Sequence, residues 1–150
     1  MTKPVFGAPD ITARIVTGLE HIGDHISYLL KAQAQEHKLS PLQIRILIFI
    51  HFYEGQTRLS LLAAEFKLSK ATLSVALKSM EQKKLISRKT VPDDQRSAQI
   101  ELTEWGRRIA HVAGFYPEPL KKIVATMTAE EKNALLAVLD GIRHKLDLSL

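Results

Sequence analysis

The chain has 150 residues, 45% of them hydrophobic and 25% charged, with no cysteine and a formal net charge of +5. That length suits one globular domain, or a small domain with an oligomerisation element, and the composition is that of a folded rather than a disordered chain. The lack of cysteine excludes disulfides and thiolate metal sites and suits a reducing cytoplasm; no apolar run reaches the ~18 residues of a bilayer span, and the opening MTKPVFGAPD lacks the continuous apolar stretch of a secretory signal.

The first predicted element is a helix from Asp10 to about His37. Ile11, Ile15, Leu19, Ile22, Ile26 and Leu29 recur at steps of three and four, one apolar stripe, and Asp10 is placed to cap it. Ser40 and Gln43 form a capping box with Pro41 at the first helical position, so a second helix is expected from Pro41 to about Tyr53. Its run Ile44, Ile46, Leu47, Ile48, Phe49 and Ile50 is apolar on most sides and demands burial on several faces. Ser60 is expected to cap a short helix over 61–66, and Ser69 a longer one, Lys70 to Lys83, with Leu73, Leu77 and Met80 inward. Ile86 to Val91 alternates as a strand, as do Ala98, Ile100 and Leu102, around a turn holding Pro92, Asp93, Asp94, Gln95 and Arg96. Thr103 is expected to cap a helix from Glu104 to about Phe115. Pro117 and Pro119 predict a break near Tyr116, followed by a helical piece over 119–126. Thr128 and Glu131 box the last helix, Ala129 to about Leu146, striped by Leu135, Leu139, Ile142 and Leu146.

The order of the middle elements is a helix-turn-helix followed by a hairpin wing, shaped to fit DNA grooves. The fold class expected is mainly α with a small β-hairpin. Charge follows the same division. Residues 67–96 hold eight Lys/Arg against three acids, a surplus equal to the net charge of the whole chain, +5. Clustered cations of this kind bind phosphate backbones through counterion release. The striped terminal helices, 1–40 and 104–150, are expected to pack on each other and on a second copy of the chain, around a winged unit at 41–103.

Several segments resemble the MarR family of bacterial regulators (multiple antibiotic resistance regulator). LSPLQIRIL is similar to that family's second helix. LLAAEFKLSKATLSVALKSMEQKKLISR is similar to its helix-turn-helix and first wing strand, and VPDDQRSAQIELTEWGR to its wing, with the Asp94–Arg96 pair and the closing LT-x-x-GR at Leu102 to Arg107. Four positions depart from the pattern. Lys84 stands where glycine is usual, which implies a tighter or more strained turn into the wing. Gln95 stands where arginine is frequent, and Pro117 and Pro119 interrupt a helix that is usually long. The resemblance implies a cytoplasmic, symmetric homodimer on pseudo-palindromic double-stranded DNA, usually a repressor, often released by a small phenolic or lipophilic effector.

The residues expected at DNA are Ser69, Lys70, Thr72, Leu73, Ser74 and Lys78 on the recognition helix, and Arg88, Lys89, Asp94, Gln95 and Arg96 on the wing. Lys70 sits in the first turn, where the helix dipole disfavours a cation unless a phosphate or guanine offsets it. Arg96 at the hairpin tip suits a narrow minor groove, with Asp94 pinning its guanidinium. Arg88 and Lys89 suit phosphates, while Lys78, Lys83 and Lys84 also read as an ordinary solvated face. Tyr28, His51, Tyr53, Phe115 and Tyr116, with Phe52, are candidates for an effector pocket, although core packing is the commoner fate of such aromatics. Trp105 is expected to pack. His21 and His25 at i, i+4 have metal-ligand spacing, and His111 and Glu36 are the available additions. Three or four ligands are needed, so no metal site and no cofactor is expected. No phosphate loop, H-E-x-x-H or G-x-S-x-G occurs, and the chain reads as no enzyme. The alternatives are a winged-helix protein-interaction module, a metal-responsive regulator, and an enzyme on a borrowed fold.

Overall fold

In the computed structural model, which describes residues 10–91 and 94–149 without the side chains of 91, 94–97, 148 and 149, local capping chemistry starts most of the helices. The Asp10 carboxylate accepts from the Thr12 and Ala13 amides at 2.7 and 3.2 Å and opens α1, Ile11–Glu36. Ser40 Oγ accepts from the Gln43 amide at 3.1 Å while Gln43 Oε1 accepts from the Ser40 amide at 3.0 Å, the reciprocal box that opens α2, Pro41–Phe52. Then come α3, Leu59–Phe66, and α4, Lys70–Gln82, the latter capped by Ser69. The hairpin is β1, Ile86–Val91, and β2, Asp94–Leu102. Thr103 caps α5, Glu104–Ala113; α6 is Glu118–Ala125; and Thr128 with Glu131 boxes α7, Ala129–Ser149.

Three boundaries differ from those the sequence suggested. Ser60 is no cap: α3 starts at Leu59 behind Arg58, which makes no side-chain cap bond. The β2 strand fixes this start instead, through an Arg58–Gln99 bridge and a 2.7 Å bond from the Ile100 amide to the Thr57 carbonyl. β2 begins at Asp94, before Ala98. α6 begins at Glu118, so Pro119 is its second residue, where a missing N–H leaves no bond unmade. The break near Tyr116 is present: α5 ends at Ala113 and α6 starts five residues later.

The core centres on α2, which contacts α1, α4, α5 and β2. Ile44, Ile46 and Leu47 are fully buried together with Leu62, Leu73, Leu77 and Met80 from the two helices of the helix-turn-helix. Gln43 is a buried polar residue beside them. Having boxed α2, it donates Nε2 to the Ala76 carbonyl at 3.3 Å, in the middle of α4. A net hydrogen bond is worth ~1 kcal/mol, but stranding its buried partner costs ~1–3 kcal/mol, so this contact fixes position more than it adds stability.

α1, α3 and α4 end alike. Lys38, Lys67 and Lys84 take left-handed φ values of 56°, 52° and 59°. The following leucines, 39, 68 and 85, return their amides to the carbonyls of Ala34, Ala63 and Met80 at 2.9, 3.1 and 2.9 Å. This is the Schellman closure, in which the lysine bears about 1–2 kcal/mol of backbone strain that glycine would avoid. The strain expected at Lys84 is therefore real. Lys83, beside it, donates Nζ to the Lys38 carbonyl at 2.9 Å and joins the ends of α4 and α1 rather than facing solvent alone.

The wing pairs Ile86 with Leu102, Arg88 with Ile100 and Lys89 with Gln99, and is bulged between Lys89 and Val91. At its base the Thr103 amide donates to the Leu85 carbonyl at 3.0 Å and the Thr103 hydroxyl to the Lys84 carbonyl at 2.7 Å. Gly106 lies against this junction: a Cβ built there would stand 2.0 Å from the Leu85 carbonyl oxygen. The chain divides into two compact units between Tyr116 and Pro117. The second is α6, a short turn and α7.

Gly106→Ala is expected to destabilise the fold, because the obstructing atom is backbone and cannot rotate away. Overpacking of this kind costs about 1–3 kcal/mol, and urea unfolding measures it. Unchanged stability would mean that α5 is free to slide from Leu85.

Candidate nucleic-acid interface

Leu73, Leu77 and Met80 anchor one side of α4 in the core, so helical geometry turns Lys70, Ala71, Thr72, Val75 and Lys78 outward. The first turn is preset. Ser69 Oγ accepts from the Thr72 amide at 3.1 Å and lies 2.9 Å from Thr72 Oγ1, which fixes both hydroxyls before any partner arrives. Lys70 is exposed in that turn, and Ser74 is half-buried. Leu73 is a correction. It is fully buried and cannot reach a groove; it holds the helix to the core. Val75 is a residue the sequence reading missed. It is 74% exposed, a β-branched apolar side chain in the middle of the polar face. Its signal was the complement of the inward spacing: positions 71, 75 and 78 face out once 73, 77 and 80 face in.

On the wing, strand alternation sets Arg88 and Lys89 on opposite faces. Arg88 pairs with Glu81 at the end of α4, Nε to Oε2 3.2 Å, so its charge is shared within the head. Lys89 is exposed. Pro92 and Asp93 and the side chains of Asp94, Gln95 and Arg96 lie outside the described residues, as does the expected Asp94–Arg96 pair. The backbone sets Asp94 opposite Val91 at the hairpin end.

The aromatic candidates do not converge. Tyr28 stacks on His25 at 6.3 Å along α1, and Tyr53 on Phe49 at 5.1 Å. Tyr116 lines a separate cavity of about 210 Å³ with Phe49, Phe66 and Arg45. Only His51, Phe52 and Phe115 gather: Phe52 lies 4.7 Å from His51, and His111 joins His51 to Phe115 with ring centroids 5.9 Å and 5.4 Å away. Beside them a cavity of about 550 Å³ is lined by His51, Glu104, Arg107, Arg108, His111 and Val112. A smaller one of about 330 Å³ shares His51 and Arg107 and reaches Glu101 on β2. Burial first, then the charges of His111 and Arg107, holds His51 below the usual histidine range.

His111 lies against His51 and Phe115, and among the described residues no three histidine or carboxylate side chains gather. Trp105, expected to pack, is 56% exposed.

Residues 37–97 match the MarR family model. An uncharacterised HTH-type transcriptional regulator of Bacillus subtilis (strain 168), YdgJ, is 28% identical over 102 residues, 67% of this chain. The chain spans 62% of the length of that curated relative. Among solved structures, the MarR family transcriptional regulator AbsC of Streptomyces coelicolor is 25% identical, with a TM-score of 0.74 over 93% of this chain and 97% of its own. Streptococcus pneumoniae FabT in complex with DNA has a TM-score of 0.77 at 21% identity, covering 91% and 98% of the two chains. S. aureus MepR in its DNA-binding conformation has 0.77 at 19%, covering 88% and 98%. For FabT and MepR the likeness is one of fold.

The neutral form of His51 is favoured in the folded chain, so the unfolded chain binds more protons. Its contribution to stability is complete above the unfolded histidine value of ~6.5 and is lost as pH falls through the lower folded value. Urea unfolding on either side of that window should show His51→Gln losing less stability on acidification than the unaltered chain. An equal loss would remove His51 from the titration.

Proposed function

We propose that the chain, whose residues 37–97 match the MarR family model, is a homodimeric, sequence-specific transcriptional regulator of that family that reads a pseudo-palindromic operator, α4 in the major groove and the wing in the neighbouring minor groove. The observation that carries this reading is the outer face of α4. Ser69, Lys70, Thr72, Val75 and Lys78 stand on a helix whose other face is locked in the core, within a segment holding the chain's entire charge surplus. A protein-interaction module would carry acidic or apolar residues there, and two lysines argue for phosphates instead. Val75 adds an apolar surface suited to a thymine methyl.

Dimerisation is supported by what the chain leaves uncovered. α1 exposes Ile11, Ile15, Leu19 and Ile22, and α7 exposes Leu135, Leu136, Val138, Ile142 and Leu146. Monomeric proteins rarely expose contiguous apolar patches of this kind. We assign 1–40 and 104–150 to the dimer and 41–103 to DNA, and repression to the whole, released by a small aromatic or lipophilic effector. No cofactor and no reaction enters this reading. Among the described residues no helix is long and apolar enough to cross a membrane.

Sedimentation at micromolar concentration is expected to give twice 16.8 kDa; a stable folded monomer would contradict the assignment of α1 and α7.

Binding to duplexes from the chain's own upstream DNA should fall linearly in log affinity against log salt, with a slope of ~−0.9 per phosphate neutralised. Sites selected from a random duplex pool should separate the two reading elements. Arg96→Ala should weaken binding and alter A·T-rich flanks while the half-site core persists. Lys70→Ala, Thr72→Ala and Val75→Ala should relax the core, where one good bidentate contact discriminates by ~1–3 kcal/mol. If Arg96→Ala selects the same sites at undiminished affinity, the wing is not a reading element.

A further inference from the structure

The Gln43 side chain is used at both ends of its amide. Oε1 accepts from the Ser40 amide at 3.0 Å and closes the cap of α2, while Nε2 reaches across to α4 and donates to the Ala76 carbonyl at 3.3 Å. The residue is 7% exposed. Helical geometry already gives that carbonyl the Met80 amide as a donor, so Gln43 takes its second lone pair. We propose that Gln43 is the positioning residue that fixes α4 on α2, and through it the half-site spacing that the dimer accepts.

The reason lies in what each contact can specify. Leu73, Leu77 and Met80 supply the attraction that buries the inner face of α4, but apolar attraction has no direction. A small slide or roll of α4 keeps most of that burial. It does not keep the bond to Ala76, and a buried donor left without an acceptor is penalised far beyond the net worth of the bond. Other polar ties on α4 stand within reach of water, which competes for them: Lys83 Nζ to the Lys38 carbonyl, and Glu81 to Arg88. Gln43 is buried and anchored at its own end by the cap, so its amide is a fixed reference from which α4 is hung.

The frame on the other side of that bond is the one that leads to the second copy. α2 packs on α1 and α5, and α1 carries the uncovered stripe assigned to the dimer. The route from dimer to groove therefore runs α1, α2, Gln43, α4. Base preference inside a half-site belongs to Lys70, Thr72 and Val75 on the outer face, which Gln43 does not touch. Spacing belongs to the distance between two α4 helices, which it does. The inference rests on the dimeric regulator reading above.

The test uses the half-site pair that the unaltered chain selects, rebuilt with one or two base pairs inserted or removed at its centre. Each base pair moves one half-site by about 3.4 Å along the axis, so for the unaltered chain these duplexes should bind at least about tenfold more weakly than the selected spacing. In Gln43→Met, which removes the donor with little change of length, the penalty should shrink to about threefold or less, with base preference inside the half-site unchanged. Ser40→Ala weakens the same cap from its other side, leaves Nε2 on Ala76, and should keep the full penalty, which separates the clamp from a mere loss of stability. Should Gln43→Met not fold, Gln43→Glu takes its place: glutamate keeps the acceptor for Ser40, and at about pH 8, above the ordinary carboxyl range, it offers Ala76 no donor. Amide exchange of the free protein gives a reading without DNA, in which α4 should exchange faster in the donor-less variant than in Ser40→Ala. A donor-less variant that melts cooperatively yet keeps the full spacing penalty, or exchanges no faster, overturns the role of Gln43 alone. An unaltered chain that binds no duplex, or binds every spacing alike, overturns the dimeric regulator reading, and the inference falls with it.

Discussion

One carbonyl group ties the reading head together. The Leu85 oxygen sits where α4 has closed, β1 is about to start and α5 begins to pack. It accepts from the Thr103 amide and lies 3.1 Å from the Thr103 hydroxyl, and the absence of a side chain at Gly106 lets α5 rest against it. Thr103 in turn accepts from the Gly106 amide at 3.0 Å and so starts α5. Recognition helix, wing and the helix leading away from the head are thus referenced to a single point. This explains the L-T-x-x-G-R spacing as geometry: a cap, a residue without a Cβ one turn later, and an arginine that returns to the Leu102 carbonyl.

The same logic runs through the face of α4. Its outer side chains are held in place from the inner face. Leu73, Leu77 and Met80 are inaccessible, and Gln43 grips the backbone at Ala76. The Ser69–Thr72 hydroxyl pair orders the first turn. Side chains fixed before binding lose less entropy on binding, so a given set of contacts yields more affinity.

The sequence made the caps legible because capping is local: Asp10, Ser40, Ser69, Thr103 and the Thr128–Glu131 box all act within three residues. What failed was decided at a distance. Ser60 had the chemistry of a cap, but β2 claims Thr57 and Arg58 and moves the helix start to Leu59. Arg88 looked free until Glu81 met it. The aromatics share a residue class but sit on different helices and faces, and no spacing along one chain reveals that. The Lys-Leu closures lay in plain view three times, yet lysine is a poor signal for a left-handed turn because glycine normally occupies it.

Charge and mechanics divide the molecule differently. Outside 67–96 the chain is electrically balanced, so the basic seam between α2 and α5 is a local feature in a neutral half. At physiological salt, screening over about 8–10 Å limits how far the charges of this seam act through space. The contact that joins this seam to the wing is Arg107 to the Leu102 carbonyl, at the end of the strand that comes from the hairpin turn. A field effect would change association at all sequences alike, whereas a shift at the wing base would change flank preference most. The kind of change in site selection, rather than its size, therefore distinguishes the two routes.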